Sequence, residues 1–253
     1  ALALTDHGNM NGFAYQVLHA KKMKEQGKSF KAIYGVEAYI IPSVEEWKKE
    51  INEYRQDKKK AKQIDDGRSG TNIENEGESK GSSLSSINRT RHMVLLATSQ
   101  EGLNNIFKMV STSYSGDHFY RKPRIDYDLL AKHSSGVIGL SACLGGVYAG
   151  CYWEHREEGK EAVLKAMRET TQRMVDIFGD RWYGELQWNR VPEQHELNQY
   201  VIQMHKEFGI PLVSTADSHY PTPDAWKDRE LYKRLGWLGR GKPEWLDMEL
   251  PTS

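Results

Sequence analysis

Six short runs of apolar and β-branched residues recur along the chain, "ALAL", "AIYGVEAYI", "MVLLA", "GVIGLSA", "WYGELQW" and "IPLVSTA", with longer helix-like stretches between most of them. Strands alternating with helices predict an α/β fold with parallel pairing and a sheet covered on both faces, either open or closed into a barrel. The helices can be read too. Between Gly159 and Phe178 the residues Ala162, Val163, Ala166, Met174, Val175 and Phe178 fall mostly on one side at helical spacing, and Gly179 is placed to end the helix. A second helix is expected to begin at Val191-Pro192-Glu193, where proline suits a first turn, and to end at Gly209.

One segment breaks this rhythm. From about residue 43 to 91 the chain is rich in Lys and Glu, helix-compatible to about Lys62, and then runs "DDGRSGTNIENEGESKGSSLSSINRT". That stretch has little to bury against the entropy of ordering it, so it reads as a polar surface insertion, mobile in part. Beyond Pro221 come a helix-like "DAWKDRELYKRLGWL" and a polar tail, residues 238–253.

Charge and cysteine content narrow the class. Lys plus Arg and Asp plus Glu are 35 each, which excludes the global basic field of a dedicated nucleic-acid binder. Two cysteines, Cys143 and Cys151, are too few for a disulfide framework. With no apolar leader and no run approaching a membrane span, the expectation is a soluble, cytoplasmic protein that does not engage a membrane.

The informative pattern is where polar residues sit relative to the strands. Asp6 and His7 follow "ALALT", Glu37 interrupts "YGVEAYI", Cys143 follows "VIGLSA", and Asp217 and His219 follow "PLVSTA". In parallel α/β folds the carboxyl ends of strands converge on one face, so residues distant in sequence become neighbours there. Imidazole, carboxylate and a single thiol gathered at one edge form a donor set suited to zinc, manganese or iron. Taken singly, each residue has a plainer alternative. His7 is either a ligand or a satisfied core histidine, Asp6 a turn former or helix cap, and Cys143 a ligand or a small buried hydrophobe. Glu37 must be paired, metal-bound or turned to solvent, because a bare buried carboxylate is very costly. Asp217 and His219, two apart, share a face if the strand continues, or form a surface pair. Arg121, Lys122 and Arg124 either meet phosphates or belong to a solvated loop.

The segments "ALALTDHGNMNG", "YGVEAYI", "RHMVLLATSQEGLNNIFKMVS", "FYRKPRID", "GLSACLGG" and "IPLVSTADSHY" together resemble the polymerase and histidinol phosphatase (PHP) domain, in the branch at the N-terminus of bacterial DNA polymerase III alpha subunits. The likeness runs in order from Ala1 to about Trp237 and leaves out mainly the polar insertion. It implies a distorted seven-stranded (βα) barrel over residues 1–237, with 238–253 opening a linker to the polymerase region. It also implies metal ligation by His7, Glu37, His92, Cys143, Asp217 and His219, with Asp217 and His219 catalytic. His92 precedes its strand instead of following it, and His118 is the competing candidate. The family holds up to three metals through nine residues. The remaining three ligands, an H-x-H pair and an acidic residue, precede the "LTDHG" element there and have no counterpart here. The expectation is therefore a fragment lacking its first strand, with fewer metals and little or no nuclease activity, whose parent begins roughly 30 to 40 residues earlier, the length of one βα unit. For the intact parent the resemblance implies metal-dependent phosphoesterase chemistry as a 3′–5′ proofreading exonuclease. The partners implied are the DNA 3′ end, the polymerase region of the same chain and other replisome subunits, and Arg121, Lys122 and Arg124 are the cations of this sequence offered to the DNA. A catalytically inactive brace for the polymerase and a free-standing phosphatase are the alternative readings.

Overall fold

The computed structural model describes residues 1–65 and 87–236. It falls into two units, Ala1–Thr215 and Ala216–Ser253. The first holds a seven-stranded mixed sheet in the order β1 (Leu2–Leu4), β2 (Ala32–Ile41), β3 (Arg91–Ala97), β7 (Val137–Leu140), β8 (Trp182–Gln187), β9 (Leu212–Thr215), with β6 (Ile125–Asp126) paired beside the end of β2. Its helices are α1 (Phe13–Glu25), α2 (Val44–Asp65), α3 (Gln100–Ser113), α4 (Tyr127–Lys132), α5 (Val147–His155), α6 (Lys160–Phe178) and α7 (Pro192–Phe208). The architecture is consistent with a distorted (βα) barrel of the PHP type. β1 and β9 are the two ends of the strand order.

All six apolar runs are strands, and both expected helices end where glycine permits it. Gly179 follows α6 at φ 61° and Gly209 follows α7 at φ 69°, left-handed backbone that glycine adopts at little cost. The helical start of the polar segment is α2. Its continuation, residues 66–86, and the tail 238–253 lie outside the described residues. A two-stranded hairpin, β4 (Phe119–Tyr120) with β5 (Lys122–Pro123), is an addition to the expected elements.

The expectation of parallel pairing fails at one strand, and that failure builds the site. β1 and β2 are parallel, as are β7, β8 and β9, but β3 runs antiparallel to both of its neighbours, β2 and β7. The beginning of β3 therefore lies beside the carboxyl ends of β2 and β7.

Alternation then sorts the side chains. Val36, Ala38 and Ile40 of β2 and Met93 and Leu95 of β3 point into the main core, which also holds Ile106, Met109, Met167, Met174, Phe178 and Trp182. Glu37, Tyr39 and His92 are thereby turned to the opposite face. Among the polar groups in the core, the Trp182 indole donates to the Tyr148 hydroxyl at 2.8 Å, and that hydroxyl lies 2.8 Å from Thr171 Oγ1.

The second unit contains a short 3₁₀ turn, Pro223–Ala225, and α8 (Trp226–Gly236). Among the described residues, no helix is long and apolar enough to cross a membrane.

Candidate metal centre

His7 and Glu37 are brought together by their own backbones. Gly8 N–H donates to Glu37 O at 2.7 Å and Glu37 N–H donates to Asp6 O at 3.0 Å, so the chain leaving β1 continues as a parallel bridge beside β2. Gly8 sits at φ 68°, and a Cβ there would lie 2.8 Å from the Tyr39 ring and 2.9 Å from Pro123, so glycine is required twice over. Asp6 takes the local role open to it in the sequence: its carboxylate accepts from Gly12 N–H at 2.7 Å, ahead of α1.

His92 joins through strand register. Tyr39 pairs with His92 and Glu37 with Val94, which makes Glu37 and His92 diagonal neighbours on one face. Glu37 Oε1 lies 2.6 Å from His92 Nδ1 and 3.6 Å from His7 Nδ1. The donor atoms of His7, Glu37 and His92 all fall within 4.8 Å of one another. Two ligands of a tetrahedral zinc are separated by about 3.4 Å, the edge of a tetrahedron with bonds near 2.1 Å, so small side-chain shifts fit this set to a metal ion. Glu37 is buried and His7 exposed, which gives the cluster a closed floor and an open side.

Cys143 enters from β7. Because β3 and β7 are antiparallel, the turn after β7 meets the start of β3: His92 N–H donates to Gly145 O at 2.9 Å, and Cys143 Sγ lies 3.6 Å from His92 Nδ1. Cys143 thus adjoins the three-donor set through His92. A cysteine, a histidine and a carboxylate in contact raise the possibility of a nucleophilic relay, which needs the two ring nitrogens to face different partners. Here Nδ1 of His92 faces both Glu37 and Cys143. Convergence on one point is the geometry of ligation.

Burial opposes charge on His92, but its hydrogen bonds to Cys143 and Glu37, with their charges, outweigh that and push the imidazole up to about 9. A metal bound at this imidazole would have to displace that proton. Tyr39 flanks both imidazoles, with ring centroids 5.3 Å from His92 and 6.4 Å from His7. Burial, then the nearby Glu37, raises its hydroxyl pKa.

The other expected site residues have contacts of their own. His118 does not join the cluster: its Nδ1 meets Arg124 O at 3.0 Å, tying the base of the hairpin. Asp217 and His219 belong to the second unit, where His219 Nδ1 lies 2.7 Å from Asp217 O and 3.7 Å from Asp217 Oδ1, and Asp217 has a left-handed φ of 48°. Arg121 and Lys122 are exposed at the hairpin tip, with the Lys122 ammonium 4.6 Å from the centre of the Tyr39 ring.

Arg124 departs from its expected role. It is 1% exposed, its guanidinium stacks on Trp47 at 4.3 Å, and it donates to Tyr120 O, Lys122 O and Asn88 Oδ1 at 2.7, 3.1 and 3.3 Å. A group so enclosed braces the hairpin and is out of reach of a phosphate. Arg124→Ala is expected to destabilise the protein by about 2 kcal/mol, measured by chemical unfolding, through the loss of charge-assisted hydrogen bonds. An unchanged midpoint would contradict this bracing.

Two residues outside the sequence-derived set belong to this region, Tyr39 and Glu185. Glu185 carries the same signal as Glu37, a carboxylate inside an apolar run, "WYGELQW". It is 5% exposed and accepts from Ala142 N–H at 3.1 Å.

The sequence profile of the PHP domain matches residues 1–189. This chain belongs to the PHP domain family. The DNA polymerase III subunit alpha of Aquifex aeolicus is 32% identical over 224 residues, covering 88% of this chain and 16% of that protein. The subunits from Deinococcus radiodurans and Thermus aquaticus are each 33% identical over 220 residues, covering 87% of this chain and 13% and 14% of those proteins. The chain thus spans about one-seventh of the length of these curated relatives.

Proposed function

We propose that this PHP domain is the metal-holding phosphoesterase part of a bacterial-type DNA polymerase III alpha subunit, and that the intact parent removes nucleotides from the DNA 3′ end as a 3′–5′ proofreading exonuclease. The observation that carries this reading is the meeting of His7, Glu37 and His92, from three separated parts of the sequence, at one rim of the sheet. These three hold the metal, with Cys143 beside them; Asp217 and His219 are assigned as further ligands on the family resemblance alone. The mixture of nitrogen, oxygen and sulfur donors suits zinc, manganese or iron. When bound, such an ion supplies Lewis acidity and lowers the pKa of a coordinated water toward neutrality. The chain's own residues do the rest. The buried Glu37 fixes the two imidazoles, the His7 side leaves the cluster open to a phosphodiester, and Lys122 and Arg121 offer exposed cations to its oxygens. The polymerase region of the parent and other replisome subunits are the partners that fit the family.

Digestion of 3′-labelled single-stranded DNA by the full-length protein, with metal content measured in parallel, tests this reading. Removal of nucleotides abolished by Asp217→Ala and slowed by Lys122→Glu is the expected result. Digestion that persists unchanged in Asp217→Ala overturns the assignment of that residue. A full-length protein that is inert and metal-free establishes instead a structural brace for the polymerase.

A further inference from the structure

We infer that Glu185 is a positioning residue for Cys143, holding the turn that presents the thiol to His92. Ala142 lies immediately before Cys143 and has φ 61°, a left-handed conformation that an alanine adopts only when its surroundings hold it there. Its N–H is the group that Glu185 Oε2 binds, at 3.1 Å and away from solvent. The hold is reciprocal, because Glu185 N–H donates to Ser141 Oγ at 2.9 Å. The side chain of Glu185 is itself fixed: Oε1 accepts from the Thr215 hydroxyl on β9 and from Gln187 Nε2 at 3.3 Å. One buried carboxylate on β8 thus spans from β9 to the turn after β7.

Beyond Ala142 the turn is pinned by its own contacts. Gly146 N–H donates to Cys143 O at 2.8 Å, and Gly145 N–H reaches Cys143 Sγ at 3.3 Å. Gly146 admits no side chain, since a Cβ there would lie 2.1 Å from Ser141 O. With the Glu185 oxygen gone, the Ala142 N–H loses its acceptor and the left-handed residue relaxes, carrying Cys143 away from His92. The route from Glu185 to a bound ion runs through the Ala142 N–H to the thiol of the next residue.

The test uses the full chain with Cys151→Ser, which leaves Cys143 as its sole thiol, since the chain has two cysteines. In metal-free protein at about pH 10, where a free thiol is ionised with or without a neighbouring imidazolium, Glu185→Ala is expected to raise the rate of Cys143 modification by a disulfide reagent about 10-fold through local opening of the turn. With Co²⁺ as the probe, the near-ultraviolet thiolate-to-cobalt absorption is expected to disappear. The cobalt arm rests on the metal-site reading and the reagent arm does not. A parent protein that takes up no cobalt counts against the metal site alone. A folded Glu185→Ala protein with an unchanged or slower reagent rate overturns the positioning role. Glu185→Leu, which keeps the volume and removes the acceptor, replaces the alanine variant if that one does not fold. If neither folds, Glu185 is a structural residue and the proposal fails.

Discussion

Glu37→Ala is expected to weaken binding of Zn²⁺ or Co²⁺ by at least about 100-fold, because residues that merely support ligands already contribute 10- to 100-fold to metal affinity. Glu37 earns this sensitivity from its place: Oε1 faces His92 Nδ1 at 2.6 Å and His7 Nδ1 at 3.6 Å. It is also the most enclosed of the three donors. Removing it leaves two imidazoles with no anion between them and a cavity under both. Competition titration with a chromophoric chelator measures the effect. Unfolding in excess chelator separates lost ligation from lost packing, since the latter persists without metal. An affinity within about threefold of the parent, far short of that range, would mean that the cation binds elsewhere.

The second large effect is expected at Gly102, in the first turn of α3. A Cβ there would lie 1.8 Å from Gly136 O and 2.5 Å from Gly136 C, atoms of backbone with no rotamer to change. That carbonyl is held from the other side by the backbone N–H and hydroxyl of Thr98, each at 2.9 Å. Helix and strand must therefore move apart, and Gly102→Ala should destabilise the protein by about 4 kcal/mol or more, lowering Tm by about 10 °C. Gly27→Ala is the matched control, with φ 70° and nothing within 4 Å, where about 1 kcal/mol of conformational strain is expected. Equal midpoints for the two variants would show that α3 is free to shift against the turn at Gly136.

What the sequence made legible were features with local causes. Gly179 and Gly209 end their helices because left-handed backbone favours glycine there, and Pro192 begins α7 because a first turn needs no donor from it. Glu37 stood out because a carboxylate inside a β-branched run requires a partner. The direction of β3 has no such local cause. Nearly fifty residues separate Ile41 from Arg91, and nothing in "RHMVLLA" records which way the strand runs. For that reason His92 looked misplaced ahead of its strand, although reversal of the strand is what delivers it to Glu37. Arg124 was illegible for a different reason. In "FYRKPRID" three cations stand within four positions, and only the fold of the hairpin against Trp47 distinguishes the enclosed one from the two at the tip.

The pairing of Tyr39 with His92 has one more implication. A strand displaced by a single residue relative to its partner exchanges its two faces, so the hydrophobic interior of this sheet and its cation-binding chemistry cannot drift independently. Any rearrangement that exposed His92 on the wrong side would expel Met93 and Leu95 from their packing at the same time. Misassembled molecules are therefore penalised by the interior before the chemistry is ever tested, and the alignment of donor atoms is protected by selection for simple compactness.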